Sequence, residues 1–277
     1  MKKLTQYTIA LITDFGQSGF HYVASMKGVI LGINPNAKII DINHNITPFS
    51  VLEAAYILKT VFSYFPERTI FVVVVDPGVG SNREIIAIRT RSNKYLIGPN
   101  NGIFTLIRSS EELIESVIIK NPKYFHKPVS QTFHGRDIMA PIASFISLGV
   151  SLKEFGTKFD LSKLTLFKNI LNINHKDKII ECTIQYIDTF GNCTTNIALE
   201  NNRIQNLPIL LKEGMELTFQ FQQNLYSGKY FSHFEAATIG ELIYITGSTG
   251  FLEISVNKGN AAILIGLKVG DVITISF

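Results

Sequence analysis

The run Ile70-Phe-Val-Val-Val-Val75 constrains this chain more than any other stretch. Six consecutive apolar residues, mostly β-branched, leave no polar face for water. The strand they form must therefore be covered on both sides, as in the middle of a parallel sheet. Around it, strand-like runs alternate with helical patterns. Residues 9–12 form an apolar run that ends in Thr13-Asp14, and a second run follows at 39–42. Between them Phe20, Val23, Ala24, Lys27, Gly28, Ile30 and Leu31 recur at helical spacing until Asn34-Pro35 stops the pattern. Ser50 with Glu53 three residues on is a capping-box arrangement. Leu52, Ala55, Leu58, Val61, Phe62 and Phe65 continue that helix as far as Pro66. Residues 85–88 and 94–97 read as further strands, and 137–148 as a helix ending at Gly149. The alternation predicts an α/β N-terminal domain with a mainly parallel central sheet in Rossmann-like layers.

The second half changes character. From about Lys178 the chain shows short strand-like runs at 178–187, 216–221, 242–245, 251–256 and 261–264, and no long helix. Gly191-Asn192, residues 247–250 and Gly259-Asn260 punctuate them as turns. This predicts a smaller all-β, barrel-like C-terminal domain. Periodicity fades between Asp160 and Asp177, so the domains are expected at 1–165 and 176–277. The 26 basic and 22 acidic residues give a net charge of only +4, with the basic groups scattered. No basic stripe points to nucleic acid, and no run approaches the ~20 apolar residues of a membrane-spanning helix. Lys2 and Lys3 precede an apolar run that Thr13-Asp14 cuts short, which does not read as a secretory leader. A cytoplasmic protein without a membrane partner is expected. Cys182 and Cys193 make neither a disulfide framework nor a metal cluster. The six histidines lack metal-ligand spacing, so no metal is expected.

In open α/β sheets the ligand crevice lies beyond the carboxyl ends of the strands. Asp14, Asp41 and Asp76 end the first three predicted strands. Asp76-Pro77-Gly78-Val79-Gly80 is the most pointed of these positions, because a carboxylate abuts six apolar residues and a turn follows. An Asp before Pro is also a common turn former, so that segment supports either reading. Arg83 follows within reach of the same strand end. His134 stands in Thr132-Phe-His-Gly-Arg-Asp137, just ahead of a predicted helix. A lone His is more often a hydrogen-bonded structural residue than a catalyst, and Arg136 with Asp137 could equally form a surface pair. No Walker loop and no Gly-x-Ser-x-Gly elbow occurs, and Gly16 and Gly19 lack the third glycine of the dinucleotide fingerprint.

The motifs taken together resemble a known family. Leu11-Ile-Thr-Asp-Phe-Gly16, Met26-Lys-Gly-Val-Ile30, Asn45-Ile-Thr-Pro48, Val75-Asp-Pro-Gly-Val-Gly80 and Gly98-Pro-Asn-Asn-Gly102 occur in family order. Thr132-Phe-His-Gly-Arg-Asp137, Asp188-Thr-Phe-Gly-Asn192 and Gly247-Ser-Thr-Gly-Phe-Leu-Glu253 complete the set. Over nearly its whole length the chain resembles the S-adenosyl-L-methionine (SAM) hydroxide adenosyltransferases, relatives of the fluorinases and chlorinases. The resemblance implies hydrolysis of SAM to adenosine and L-methionine, with no cofactor. It also implies a homotrimer, with SAM bound between the N-terminal domain of one subunit and the C-terminal domain of the next.

By the same resemblance Asp76, Arg83 and His134 are the catalytic set that holds water or hydroxide against ribose C5′. Asp14 grips the ribose hydroxyls, and Phe49, Thr132 and Phe133 line the pocket around the reaction centre. Asp188, Phe190, Asn192 and Phe234 surround adenine and the methionine end, and Ser248 helps to hold methionine. From packing alone, Phe49, Phe190 and Phe234 read as ordinary core residues. Two departures stand out. Gln17-Ser-Gly-Phe-His21 lacks an Asp that relatives carry and has one extra residue, and Thr249 replaces an Arg of the halogenating relatives. Halogenation is the nearest rival activity, and a carboxylate at Asp76 opposes it by repelling halide. A SAM- or adenosine-binding sensor without turnover is the rival from another class, and the intact Asp-Arg-His set argues against it.

Overall fold

The computed structural model describes residues 6–277; Lys2 and Lys3 lie outside the described residues. Contacts gather the chain into two compact units that meet in sequence between Phe167 and Lys168. In the first unit, strands β1 (Thr8–Thr13), β2 (Lys38–Asn43), β3 (Thr69–Val74), β4 (Ile85–Thr90), β5 (Tyr95–Pro99), β6 (Leu113–Ile119) and β7 (Gly156–Lys158) form one sheet in the order β2-β1-β3-β5-β4-β6-β7. Helices α1 (Phe20–Ile33), α2 (Val51–Phe62), α3 (Thr105–Arg108) and α4 (Ala140–Ser147) accompany it.

β3 lies inside the sheet and every one of its residues is buried. Its side chains divide between two apolar clusters, as alternation along a strand requires. Ile70, Val72 and Val74 join Val23, Met26 and Ile30 of α1 and Ile142 and Ala143 of α4. Phe71, Val73 and Val75 join Ala54, Leu58 and Phe62 of α2 and Ile107 of α3. The run needs no polar face because both of its faces are core. The Ser50 hydroxyl accepts from Glu53 N at the start of α2, as the capping pattern predicts. Lys94 closes the other end, donating to the Phe62 carbonyl at 2.6 Å.

The expectation of a mainly parallel sheet is corrected. β1 pairs parallel with β2 and β3, and β3 with β5, but β4–β5, β4–β6 and β6–β7 are antiparallel. The sheet is mixed. Only residues 91–94 separate β4 from β5, and four residues close a hairpin but cannot make the crossover that parallel pairing demands.

The second unit holds β8 (Leu171–Asn174), β9 (Ile179–Ile187), β10 (Cys193–Glu200), β11 (Arg203–Ile204), β12 (Glu216–Phe221), β13 (Asn224–Tyr230), β14 (Leu242–Thr246), β15 (Phe251–Val256) and β16 (Val272–Ser276). Seven of these close into a barrel, because β9 pairs with β10 as well as with β16. Only β13 and β14 run parallel within it. Cys182, Ile184, Phe219, Tyr244, Leu252 and Ile254 fill its core. Both cysteines are free and buried, and burial pushes the Cys193 thiol up to about 12.

The strand expected at 261–264 is instead a short helix, α5 (Ala261–Ile265). Asn260 caps it by accepting from Ile263 N, and Gly266 ends it in the left-handed conformation. A four-residue apolar run does not distinguish strand from helix, whereas the flanking Asn and Gly are helix punctuation.

The two-sided burial of β3 sets the cost of its side chains. Phe71 contacts Phe62 and Phe65 at ring-centroid distances of 5.3 Å. Phe71→Ala is expected to cost about 3–5 kcal/mol, read as a lower urea midpoint with an unchanged slope.

Candidate active site

β1 and β3 are parallel neighbours, with Thr13 opposite Val74 at their carboxyl ends. The residues that follow each strand therefore emerge side by side, and Asp14 and Asp76 both line one cavity of about 300 Å³. Phe49, Thr132, Phe133 and His134 line it as well. Asp41, the third strand-end carboxylate, is not part of this wall. It pairs with Lys27 Nζ at 2.5 Å and lies 3.0 Å from His44 Nε2. Burial raises its pKa, but the bonds from Lys27 and His44 outweigh that and leave it below the usual carboxylate value.

Arg83 ties the site together. Its Nε donates to both Asp76 oxygens, at 2.8 and 2.9 Å, and its Nη2 donates to Asp76 Oδ2. The same Nη2 lies 2.8 Å from His134 Nδ1. A guanidinium has donors and no acceptor, so His134 Nδ1 must accept, and the imidazole is neutral with its remaining proton on Nε2. Burial and the adjacent Arg83 charge both hold the His134 pKa below the ordinary imidazole value, against smaller upward pulls from Asp76 and Asp137. The two side chains that Arg83 grips line the cavity; Arg83 itself stands behind them. The Asp76–Arg83 pair is nearly buried, with side-chain exposures of 6% and 12%.

Asp14 does a second job besides facing the cavity. Its Oδ2 accepts from Phe49 N at 2.9 Å; Phe49 stands at φ 68° and is 69% exposed. A bulky residue in the left-handed region is strained, and such strain clusters at functional sites. Glu53 braces the same loop from α2, accepting from Thr47 N at 3.1 Å. Burial raises the Asp14 pKa, against the hydrogen bond from Phe49 N and with a contribution from Asp76.

Phe15, Tyr22, Pro48, Val74, Val79 and Gly135 also line the cavity, without having been singled out as contacts. Phe15, Pro48, Val79 and Gly135 stood inside quoted motifs, so a signal existed for them. Tyr22 carried none beyond its place near the start of α1. Asn101, from Gly98-Pro-Asn-Asn-Gly102, donates to the Val75 carbonyl at 2.9 Å and so steadies the residue before Asp76. Residues 17–19, within the departing loop, form a 3₁₀ turn (Gln17–Gly19).

In the second unit Asp188, Phe190 and Asn192 share the loop between β9 and β10. Asp188 Oδ1 accepts from Phe190 N and Asn192 N, both at 2.9 Å, and Oδ2 accepts from Asn192 Nδ2 at 2.8 Å. Asp188 thus shapes the loop, and Asn192 Oδ1 remains as an acceptor. Phe190 is 74% exposed, which overturns the core-packing alternative for that ring. Phe234 opens a short 3₁₀ turn (Phe234–Ala236) and is partly exposed. Ser248 lies in the exposed turn between β14 and β15. Among the described residues no group of three or more His, Cys, Asp or Glu side chains is placed to hold a metal ion, and no helix is long and apolar enough to cross a membrane.

The α/β unit sets two strand-end carboxylates and, from the turn before α4, a neutral imidazole around one cavity, and it is joined in sequence to a closed β-barrel. Residues 9–156 match the model of the SAM hydroxide adenosyltransferase N-terminal domain, and residues 182–274 that of its C-terminal domain. The chain belongs to the SAM hydroxide adenosyltransferase family. It is 36% identical to an (R)-S-adenosyl-L-methionine hydrolase of Methanocaldococcus jannaschii, across 97% of this chain and 95% of the relative. It is 28% identical to a fluorinase of an Actinoplanes species, across 97% of each. The crystal structure of an uncharacterized conserved protein from Thermotoga maritima superposes with a TM-score of 0.87 at 33% identity, covering 98% of this chain and 100% of that one.

The charge arrangement predicts how His134 titrates. Arg83→Gln removes one of the two effects that hold the imidazole down and leaves burial in place. The His134 resonance, followed by NMR against pH, is expected to titrate higher in the variant than in the wild type.

Proposed function

We propose that this chain hydrolyses SAM to adenosine and L-methionine by attack of water on ribose C5′. The observation that carries this reading is the single Arg83 nitrogen shared by Asp76 and His134, two side chains that face the same cavity. The curated relative is named for the R epimer at sulfur, and that epimer is the proposed substrate here. The bond that forms is O–C5′ and the bond that breaks is C5′–S. The electron pair of the broken bond goes to sulfur, and a proton is released. A sulfonium leaves as a neutral thioether, so the leaving group needs no general acid, and no cofactor is invoked.

The burden falls on placing the nucleophile in line. Asp76, although held by Arg83, keeps lone pairs that accept a hydrogen bond from water. His134 Nε2–H donates to the same oxygen and steadies its hydroxide-like form as the proton departs. Arg83 positions both groups. Its grip makes Asp76 an orienting acceptor more than a proton sink. Asp14 receives the ribose diol, and Phe49 covers it beside Thr132 and Phe133.

The α/β unit carries this chemistry, and the barrel unit supplies Asp188, Phe190, Asn192, Phe234 and Ser248 to the adenine and methionine ends. We infer a homotrimer in which the neighbouring subunit's barrel completes each site. The exposure of Phe190, together with Ile263 and Leu264 of α5, supports burial of that surface by another chain. Cytoplasmic location accords with a metabolite substrate.

The test is incubation with each SAM epimer, with adenosine and methionine followed by chromatography. Wild type is expected to release both products, faster from the R epimer. Asp76→Ala and His134→Ala are each expected to lose at least about 100-fold in kcat. A 5′-halogenated product in added chloride or fluoride would transfer the chain to the halogenase branch. Tight binding without turnover would leave the sensor reading.

A further inference from the structure

We propose that Asp137 is a second positioning residue of this site, a buried carboxylate that fixes the segment carrying Thr132, Phe133 and His134. The proposal deepens the hydrolase reading and rests on it for its kinetic consequences. Asp137 is fully buried, and Arg136 beside it reaches solvent. The pair is therefore not the surface ion pair that adjacent charges suggest.

Each contact of the Asp137 carboxylate leads toward the cavity. Its Oδ2 accepts from Ser130 N at 2.8 Å. The Ser130 hydroxyl in turn accepts from Thr132 N at 3.2 Å and lies 3.2 Å from Thr132 Oγ1. Its Oδ1 accepts from Arg136 Nε at 2.6 Å, and Oδ2 from Arg136 Nη2 at 3.0 Å. That fork aims the guanidinium over the Phe133 ring, 4.9 Å from its centroid. Phe133 then meets Phe15 and Tyr22 edge-on, at 5.8 and 5.2 Å. One carboxylate thus reaches Thr132 through Ser130, and Phe133 through Arg136.

His134 is reached through the backbone. It precedes a π-helical turn (Gly135–Met139) that contains Asp137, a distortion frequent at functional sites. Asp137 N donates to the Phe133 carbonyl at 3.1 Å, and His126 N donates to the Asp137 carbonyl at 2.9 Å. Gly135 lets this turn settle on β3, since a Cβ there would lie 2.9 Å from Val74 Cγ1. A buried carboxylate costs more than an apolar residue of the same size unless its hydrogen bonds are complete. Asp137 meets that condition with three accepted hydrogen bonds, and the groups those bonds fix lead to residues that line the cavity. Asp137 does not itself line the cavity, so it acts only through its neighbours.

The charges facing His134 are Arg83, Asp76 and Asp137, with Arg136 on its own turn. Loss of the Asp137 charge removes an interaction that favours the imidazolium. In Asp137→Asn, which keeps the size and an acceptor for Ser130 N, His134 is expected to titrate lower than in the wild type. With SAM, kcat is expected to fall by between about tenfold and about 100-fold, a larger change than in KM. Arg136→Lys keeps the charge but loses the fork and the planar contact with Phe133. It is expected to raise KM more than it lowers kcat, and it decides the question if Asp137→Asn does not fold. Wild-type kcat, KM and His134 titration in a folded Asp137→Asn would overturn the proposal. So would a loss of activity that only tracked a lower unfolding temperature. Because the titration is read without substrate, it separates failure of this proposal from failure of the hydrolase reading.

Discussion

One guanidinium nitrogen, Arg83 Nη2, serves two acceptors at once, and the organisation of the site follows from that. It donates to Asp76 and to His134 Nδ1, and since it can only donate, the imidazole is left neutral with its proton on the other nitrogen. The carboxylate is paired in place without losing all its lone pairs. A single cation thus anchors one group and fixes the tautomer of another. The geometry depends on two pieces of backbone far apart in sequence. β3 delivers Asp76 at its carboxyl end, and the π-helical turn after His134 seats itself against Val74 of that same strand.

The first unit was legible in sequence where burial dictated it. The apolar run through Phe71 and Val75 states its own two-sided environment, and Ser50 with Glu53 marks the start of α2. Strand direction was less legible. Residues 85–88 and 94–97 look alike as apolar runs, and the four residues at 91–94 that force a hairpin carry the direction instead. In the second unit the run at 261–264 was apolar without marking strand or helix, while Asn260 and Gly266 decided for a helix. The β9–β10 pairing is a local hairpin across the Gly191-Asn192 turn, whereas the pairing of β16 with β9 joins strands far apart in sequence and no local pattern encodes it.

The site was legible at its strand ends and illegible behind them. Asp14 and Asp76 follow from the rule that ligands gather beyond the carboxyl ends of parallel strands, but the same rule offered Asp41, which Lys27 and His44 occupy instead. Tyr22 joins the wall only because α1 packs where it does. Phe49 gave no hint of a left-handed backbone, since the carboxylate that accepts from its N, that of Asp14, is thirty-five residues away. Arg136 and Asp137 are adjacent charges in sequence, and only burial separates their roles.

In the proposed reaction the protein's work is placement. A sulfonium is already an excellent leaving group, so the role we propose for Asp76, Arg83 and His134 is to hold a nucleophile in line. The most direct measurement is turnover of SAM in ¹⁸O-labelled water, with the products analysed by mass spectrometry. Attack on ribose C5′ predicts one labelled oxygen in adenosine and unlabelled methionine. Homoserine carrying the label, with methylthioadenosine as the second product, would mean attack on the methionine side chain and would contradict the account.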